Sequence, residues 1–387
     1  MFENLLHQDR VVSRLRHDAA NDALPPAMLF SGPAMSGKLT AALELARVLS
    51  CEKEAAWNCP CGHCRSHRGL AHPRTLIAGS RDLTAEIAAS AEVVRRDASD
   101  APRYLVSRAA RKLIRRFDPV LWEGEEKKLA KVRPVMDRLA ETVDGLLPGT
   151  PLSEGPALEK LLDGLVDDCA ALQKSLPAVM PVSQVRHITS WAVHSAAGDH
   201  KTVIIDAADR MPEASRNALL KFLEEPPTGT TAILVSDRKS MLLPTIVSRL
   251  RDYAFAQRRT SEEAEVLRRV FREDANRWGG LTEYFRAWRT GPSERMKDVA
   301  FEFLELAREG SSFPASVSDV KDVPDLVAFL EALAEKLRMD VRSEGNPDHR
   351  RSEREAGWLR DARVRAESLN LPVPMILRGL FASLGGP

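Results

Sequence analysis

Residues 1–22 carry Val11, Val12 and Leu15 at helical spacing, and "ALPPAMLFSG" then runs through a short apolar strand into a glycine-rich turn. The apolar periodicity of "KLTAALELARVLSC" predicts a helix directly after that turn. Further on, "HPRTLIAG", "HKTVIIDAAD" and "TTAILVSDR" read as strands, with a helix in "MPVSQVRHITSWAVHSAAGD" just before the second. Beyond "PTIVSRLRDYAF" the chain reads as helical to its end, punctuated at "RTGPSE", "EGSSFPAS" and "SEGNPDHRR". Buried strands alternating with helices predict an α/β fold.

About a hundred residues separate "HPRTLIAG" from "HKTVIIDAAD". From about 80 to 177 the chain is rich in Ala, Arg, Leu and Glu at helical spacing, in "YLVSRAARKLIRRF", "LAKVRPVMDRLAETVDGLL" and "ALEKLLDGLVDDCAALQKSL", and is broken at "LPGTPLSEGP". Its apolar content exceeds that of a solvated tail, so a helical insertion is expected.

The length of 387 residues predicts two or three domains. With 56 basic and 55 acidic side chains, net charge does not draw the whole molecule to polyanions, and nucleic-acid contact would need a local patch. The opening "MFENLLHQDRVV" lacks the apolar core of a signal peptide, and no apolar run approaches the ~18 residues of a membrane span. A cytoplasmic protein without membrane contact is therefore expected.

Candidate chemistry begins with "LFSGPAMSGKLT". A phosphate loop needs glycines for close backbone approach, a lysine for the outer phosphates and a hydroxyl on magnesium. Gly32, Gly37 and Lys38 fit, whereas Leu39 stands where the hydroxyl belongs. Thr40 comes one place too late, because neighbouring helical positions point roughly 100° apart. At the end of the apolar strand "TVIIDAAD", Asp206 is positioned to hold magnesium through water.

Four of the five cysteines crowd into Cys51-x7-Cys59-x-Cys61-x2-Cys64. Four thiolates suit a closed, structural zinc site with no open position for catalysis, and His63 and His67 are alternative ligands. In the insertion, Arg108, Arg111, Lys112, Arg115 and Arg116 recur at helical intervals. A solvated helix face explains this stripe better than a phosphate-binding surface, because acidic runs lie near and no aromatic residues interleave.

In their order along the chain, "ALPPAMLFSGPAMSGKLTAALELARVLSC", the cysteine cluster, "KTVIIDAADRMPEASRNALLKFLEEPP" and "TIVSRL" resemble the bacterial clamp-loader family of DNA polymerase III, in particular its delta prime type. The resemblance covers residues 1–77 and 181–255, and more weakly "SLNLPVPMILRGLFASL"; the insertion has no counterpart in it. It implies an AAA+ P-loop NTPase-like domain at 1–255, containing the zinc module at about 51–64 and the insertion. A helical lid at 256–295 and a helical collar at 296–387, used for oligomerisation, would follow. In the family a glutamate commonly follows the strand-end aspartate and positions the attacking water, and here that place holds Ala207.

The delta prime type implies a stator with an impaired nucleotide site of its own. It would donate an arginine finger in trans, which the triplet Ser248-Arg249-Leu250 assigns to Arg249. The implied partners are the other clamp-loader subunits in a hetero-pentameric ring, the sliding clamp and primed DNA. The implied cofactors are structural Zn2+ and, at the degenerate site, ATP or ADP. The competing readings are an active ATPase motor subunit using Lys38 and Asp206, which Leu39 and Ala207 oppose, and a zinc-module DNA regulator, for which the chain offers no recognition helix.

Overall fold

The computed structural model describes residues 1–193, 200–288, 294–320, 323–343, 349–367 and 371–386. The end of the helix expected before Lys201 falls on 194–199 and lies outside them. The chain forms two compact units, Met1–Arg289 and Thr290–Pro387.

In the first unit β1 (Ala27–Ser31), β2 (Thr75–Gly79), β3 (Lys201–Asp206), β4 (Thr230–Ser236) and β5 (Arg251–Ala254) form a parallel sheet in the order β2-β3-β4-β1-β5. The first four are buried almost throughout, which explains their unbroken apolar runs. β5, "RDYA", is an edge strand that buries Tyr253 and leaves Arg251 exposed. Its short polar sequence carries no strand signal.

Alternation along the strands sorts their side chains to two faces. Met28, Phe30, Ile77, Ile204, Ile233 and Tyr253 pack against α1 (Asp9–Ala20) and α2 (Lys38–Leu49). A short α3 (Gly62–Arg68) carries the last of the clustered cysteines.

Leu29, Leu76, Ala78, Val203, Ile205 and Leu234 face the other way. There they meet the inserted helices α4 (Thr84–Arg96), α5 (Asp100–Ile114), α6 (Glu126–Leu146) and α7 (Pro156–Lys174). The same core takes in α8 (Val182–Val193), α9 (Glu213–Glu224) and α10 (Pro244–Val247). At about 1.5–3 kcal/mol for each large aliphatic side chain buried, the insertion is an integral layer of the domain. Cys169 of α7 lies in this core, where burial pushes its thiol up to about 12.

Of the segment expected as a lid, α11 (Thr260–Val270) and α12 (Leu281–Trp288) belong to the first unit and pack Leu267, Phe271 and Tyr284 on Ala89 and Val93 of α4. The second unit comprises α13 (Glu294–Arg308), α14 (Val323–Ser343), α15 (His349–Glu367) and α16 (Val373–Leu384), around a core of Phe303, Leu304, Phe329, Leu333 and Leu377.

Candidate nucleotide site and metal centre

The carboxyl ends of parallel strands are where α/β sheets build their sites. From the end of β1 the chain turns at Gly32, whose φ of +141° and close approach to the Phe255 carbonyl exclude a side chain. It enters α2 at Gly37, also in the positive-φ region at +93°. Lys38, only 3% exposed, turns back to donate to the Gly32 carbonyl at 2.8 Å, to the Pro33 carbonyl and to Ser36 Oγ at 3.1 Å. Its ammonium also pairs with Asp237, just beyond β4, at 3.0 Å. Burial lowers the Lys38 pKa, and Asp237 opposes that shift. A cavity of about 540 Å³ adjoins this loop, bordered by Lys38, Leu39, Thr40, Arg81, Arg108 and Asp237 among others.

Asp206 ends β3 fully buried, and two arginines hold it. Arg81, two residues past β2, donates its Nε to Asp206 Oδ1 at 3.0 Å and Oδ2 at 2.9 Å. Arg116, in the 3-10 turn after α5, donates to Oδ2 at 2.9 Å. Arg81 also spans to Asp237, at 3.3 Å and 3.4 Å. Burial alone would raise the Asp206 pKa, but the two guanidinium groups outweigh it and hold the carboxyl down at about 2. The next residue, Ala207, adopts the left-handed conformation and is buried, with no side chain able to orient water.

This arrangement does not fit magnesium-bound nucleotide. Leu39 packs toward the α1–α2 core, and the Asp206 oxygens already accept from arginine. Arg81 and Asp237 carry no motif of their own, although each lies within two residues of a strand's carboxyl end, the edge where sites form. Arg116 has no such signal, because only packing of α5 on the sheet brings it to β3.

The cysteine module does fit a metal. One sulfur each from Cys51, Cys59, Cys61 and Cys64 all lie within 4.8 Å of one another, with Cys51 3.7 Å from Cys59 and 4.0 Å from Cys61. A tetrahedron of sulfurs at zinc bond lengths has edges of about 3.8 Å. Burial opposes ionisation of the Cys61 thiol, yet the Cys64 N–H donated to it at 3.4 Å and its thiol neighbours lower it to about 6. Buried Arg47, paired with Glu44 at 2.9 Å, points its guanidinium at Cys64 Sγ, 3.6 Å away, and so offsets the negative charge of a four-thiolate centre. His63 and His67 stand outside the sulfur group. His63 contacts His72 at 2.9 Å, while buried His67 stacks on His72 with centroids 4.1 Å apart.

A family model described as "DNA polymerase III, delta subunit" matches residues 7–80 and 152–259, a little under half of the chain. The DNA polymerase III subunits delta' of Pseudomonas aeruginosa and Haemophilus influenzae are each 45% identical to it over 69 residues. That of Bacillus subtilis is 46% identical over 55. Over these segments the chain is similar to the delta prime type of clamp-loader subunit. The shared segment amounts to 18% of this chain and about a fifth of the length, 21%, of the first two relatives; the third comparison covers 14% and 17%. A solved DNA polymerase III gamma subunit-related protein of Thermotoga maritima aligns over 53% of this chain and 78% of its own, at 19% identity and a TM-score of 0.31. The core is a five-stranded parallel α/β sheet with the glycine-rich loop leaving inner strand β1, a four-cysteine module and helical additions. The second matched segment begins at residue 152, so it includes α7, while Arg81 and Arg116 fall in the unmatched 81–151.

The basic stripe is neither a solvated face nor a free patch. Arg108 donates to the His67 and Arg68 carbonyls at 3.0 Å and lies over the Trp57 ring at 5.4 Å. Arg111 pairs with Asp144, Lys112 with Glu86, Arg115 with Asp118 and Arg116 with Asp206. These cations fasten the insertion to the cysteine module and the sheet. Arg249, by contrast, is exposed just past α10 and held by Glu224 through Nε at 2.8 Å and by the Thr245 carbonyl at 2.6 Å. Leu250 is 8% exposed and packs into the core, which anchors the triplet. Among the described residues no helix is long and apolar enough to cross a membrane.

Proposed function

We propose that this chain is the non-hydrolysing stator of a cytoplasmic clamp loader, helping to place a sliding clamp on primed DNA within a ring of related subunits. The observation that carries this reading is the Asp206 site, whose carboxylate binds arginine and whose neighbour, Ala207, supplies no base. Such a chain does its work by binding, and its contribution to catalysis is made in a neighbour's site. There Arg249 would exchange Glu224 for the γ-phosphate of the neighbour's ATP. A guanidinium set against the charge developing in phosphoryl transfer is worth about 10³–10⁵ in rate in the best-studied cases. Zinc at Cys51, Cys59, Cys61 and Cys64 would cross-link the loop between α2 and α3 and stiffen that face, without a catalytic role.

The test is clamp- and DNA-stimulated ATP hydrolysis by the reconstituted loader with wild-type protein or Arg249→Ala, alongside the lone chain. A large loss confined to the assembled mixture, with the lone chain inactive, is expected. Robust hydrolysis by the lone chain would overturn the reading in favour of a motor subunit.

A further inference from the structure

The carboxylates that should meet a divalent metal already have their cations. A carboxylate presents about four lone-pair sites. Asp206 Oδ1 accepts from Arg81 Nε and from the Ala207 N–H at 2.9 Å, and Oδ2 accepts from Arg81 Nε and Arg116. Asp237 is shared between Lys38 and Arg81. Two carboxylates thus face three cations. Magnesium needs near-octahedral oxygen donors at about 2.0–2.1 Å, and entry here would mean displacing guanidinium groups that cannot lose their charge by deprotonation. The field of Asp206 and Asp237 raises the Arg81 pKa further against its burial.

We propose that Arg81 and Arg116 are the resident cations of this site, taking the place of the divalent metal and excluding it. Both come from residues 81–151, outside the segments that the family model matches, so the insertion itself supplies the counter-charge. The resulting network, Lys38–Asp237–Arg81–Asp206–Arg116, joins the phosphate loop, the ends of β2, β3 and β4 and the turn after α5 into one joint. The nucleotide site has become a structural fastening for the insertion.

The inference rests on the non-hydrolysing reading above, but it is tested on the chain alone rather than in the ring. Wild-type protein and Asp206→Asn are titrated with Mn2+, alone and with ADP, and free Mn2+ is followed by electron paramagnetic resonance. Equal, sub-stoichiometric uptake by both is expected. A one-to-one Mn2+ site in wild-type protein that Asp206→Asn abolishes would overturn the proposal while leaving the trans role of Arg249 standing. The double variant Arg81→Ala/Arg116→Ala is expected to gain a dose-dependent rise in melting temperature with Mg2+ that wild-type protein lacks. A folded double variant with no such gain would also overturn it, and if that variant does not fold, the wild-type titration decides.

Discussion

Replacing Arg116 by Met removes one of the two guanidinium groups on Asp206 while keeping most of the apolar bulk. Arg116 is 1% exposed and Asp206 0%, so solvent cannot replace the lost contact. Breaking a buried ion pair by removing one partner typically costs about 3–5 kcal/mol. Two features reduce that here: Arg81 keeps its hold on Asp206, and the Nε and Nη1 atoms of Arg116 are buried with no hydrogen-bond partner, so their loss relieves a desolvation cost.

The expected net loss is about 2 kcal/mol, near a 30-fold change in the folded-to-unfolded ratio. Five of the six tryptophans lie in the first unit, so intrinsic fluorescence during urea unfolding reports on it. With a slope of about 3 kcal/mol/M, the midpoint should fall by roughly 0.7 M. The double variant with Asp206→Asn should be more stable than the sum of the single effects by about 1 kcal/mol or more. A midpoint unchanged within error, or strictly additive single effects, would refute the reasoning.

Acid unfolding should reveal the same network. Asp206 is a stronger acid folded, at about 2, than its ordinary 3.8, so its contribution of roughly 2.5 kcal/mol is complete above about pH 3.8 and disappears as pH falls toward 2; Arg116→Met should shrink that loss in urea titrations across this range. Purified chain should hold one zinc by atomic emission, and Cys61→Ser should lose it together with several degrees of thermal stability; full metal content in that variant would argue against a four-sulfur centre. Gly32→Ala should cost about 2 kcal/mol or more, because φ is +141° and the added Cβ would meet Phe255, a prediction checked by the melting temperature. Arg249→Ala should leave stability within about 0.5 kcal/mol, since its pair with Glu224 is solvent-exposed, and a large loss in urea unfolding would assign Arg249 a structural role.

The sequence by itself determined the strands of the central sheet other than β5, because burial on both faces demands apolar runs, and here they are short and bounded by turn residues. It also determined the phosphate turn, through glycines at positive φ, and the cysteine module, because four thiols within fourteen positions can converge without help from the rest of the chain. The helical character of the insertion was equally plain in its periodicity. Tertiary structure alone decided what those helices do. Arg116 lies ninety residues from Asp206 in the chain, and Arg81 lies 125 away, so local pattern cannot pair them. The basic stripe reads as solvated only while α5 is viewed in isolation; packed on the sheet, its cations find carbonyls and carboxylates from β2, β3, α4 and the cysteine module. Spacing along a helix fixes which residues share a face, but only the fold fixes what that face meets, and here it set the strand-end carboxylate of Asp206 against two arginines.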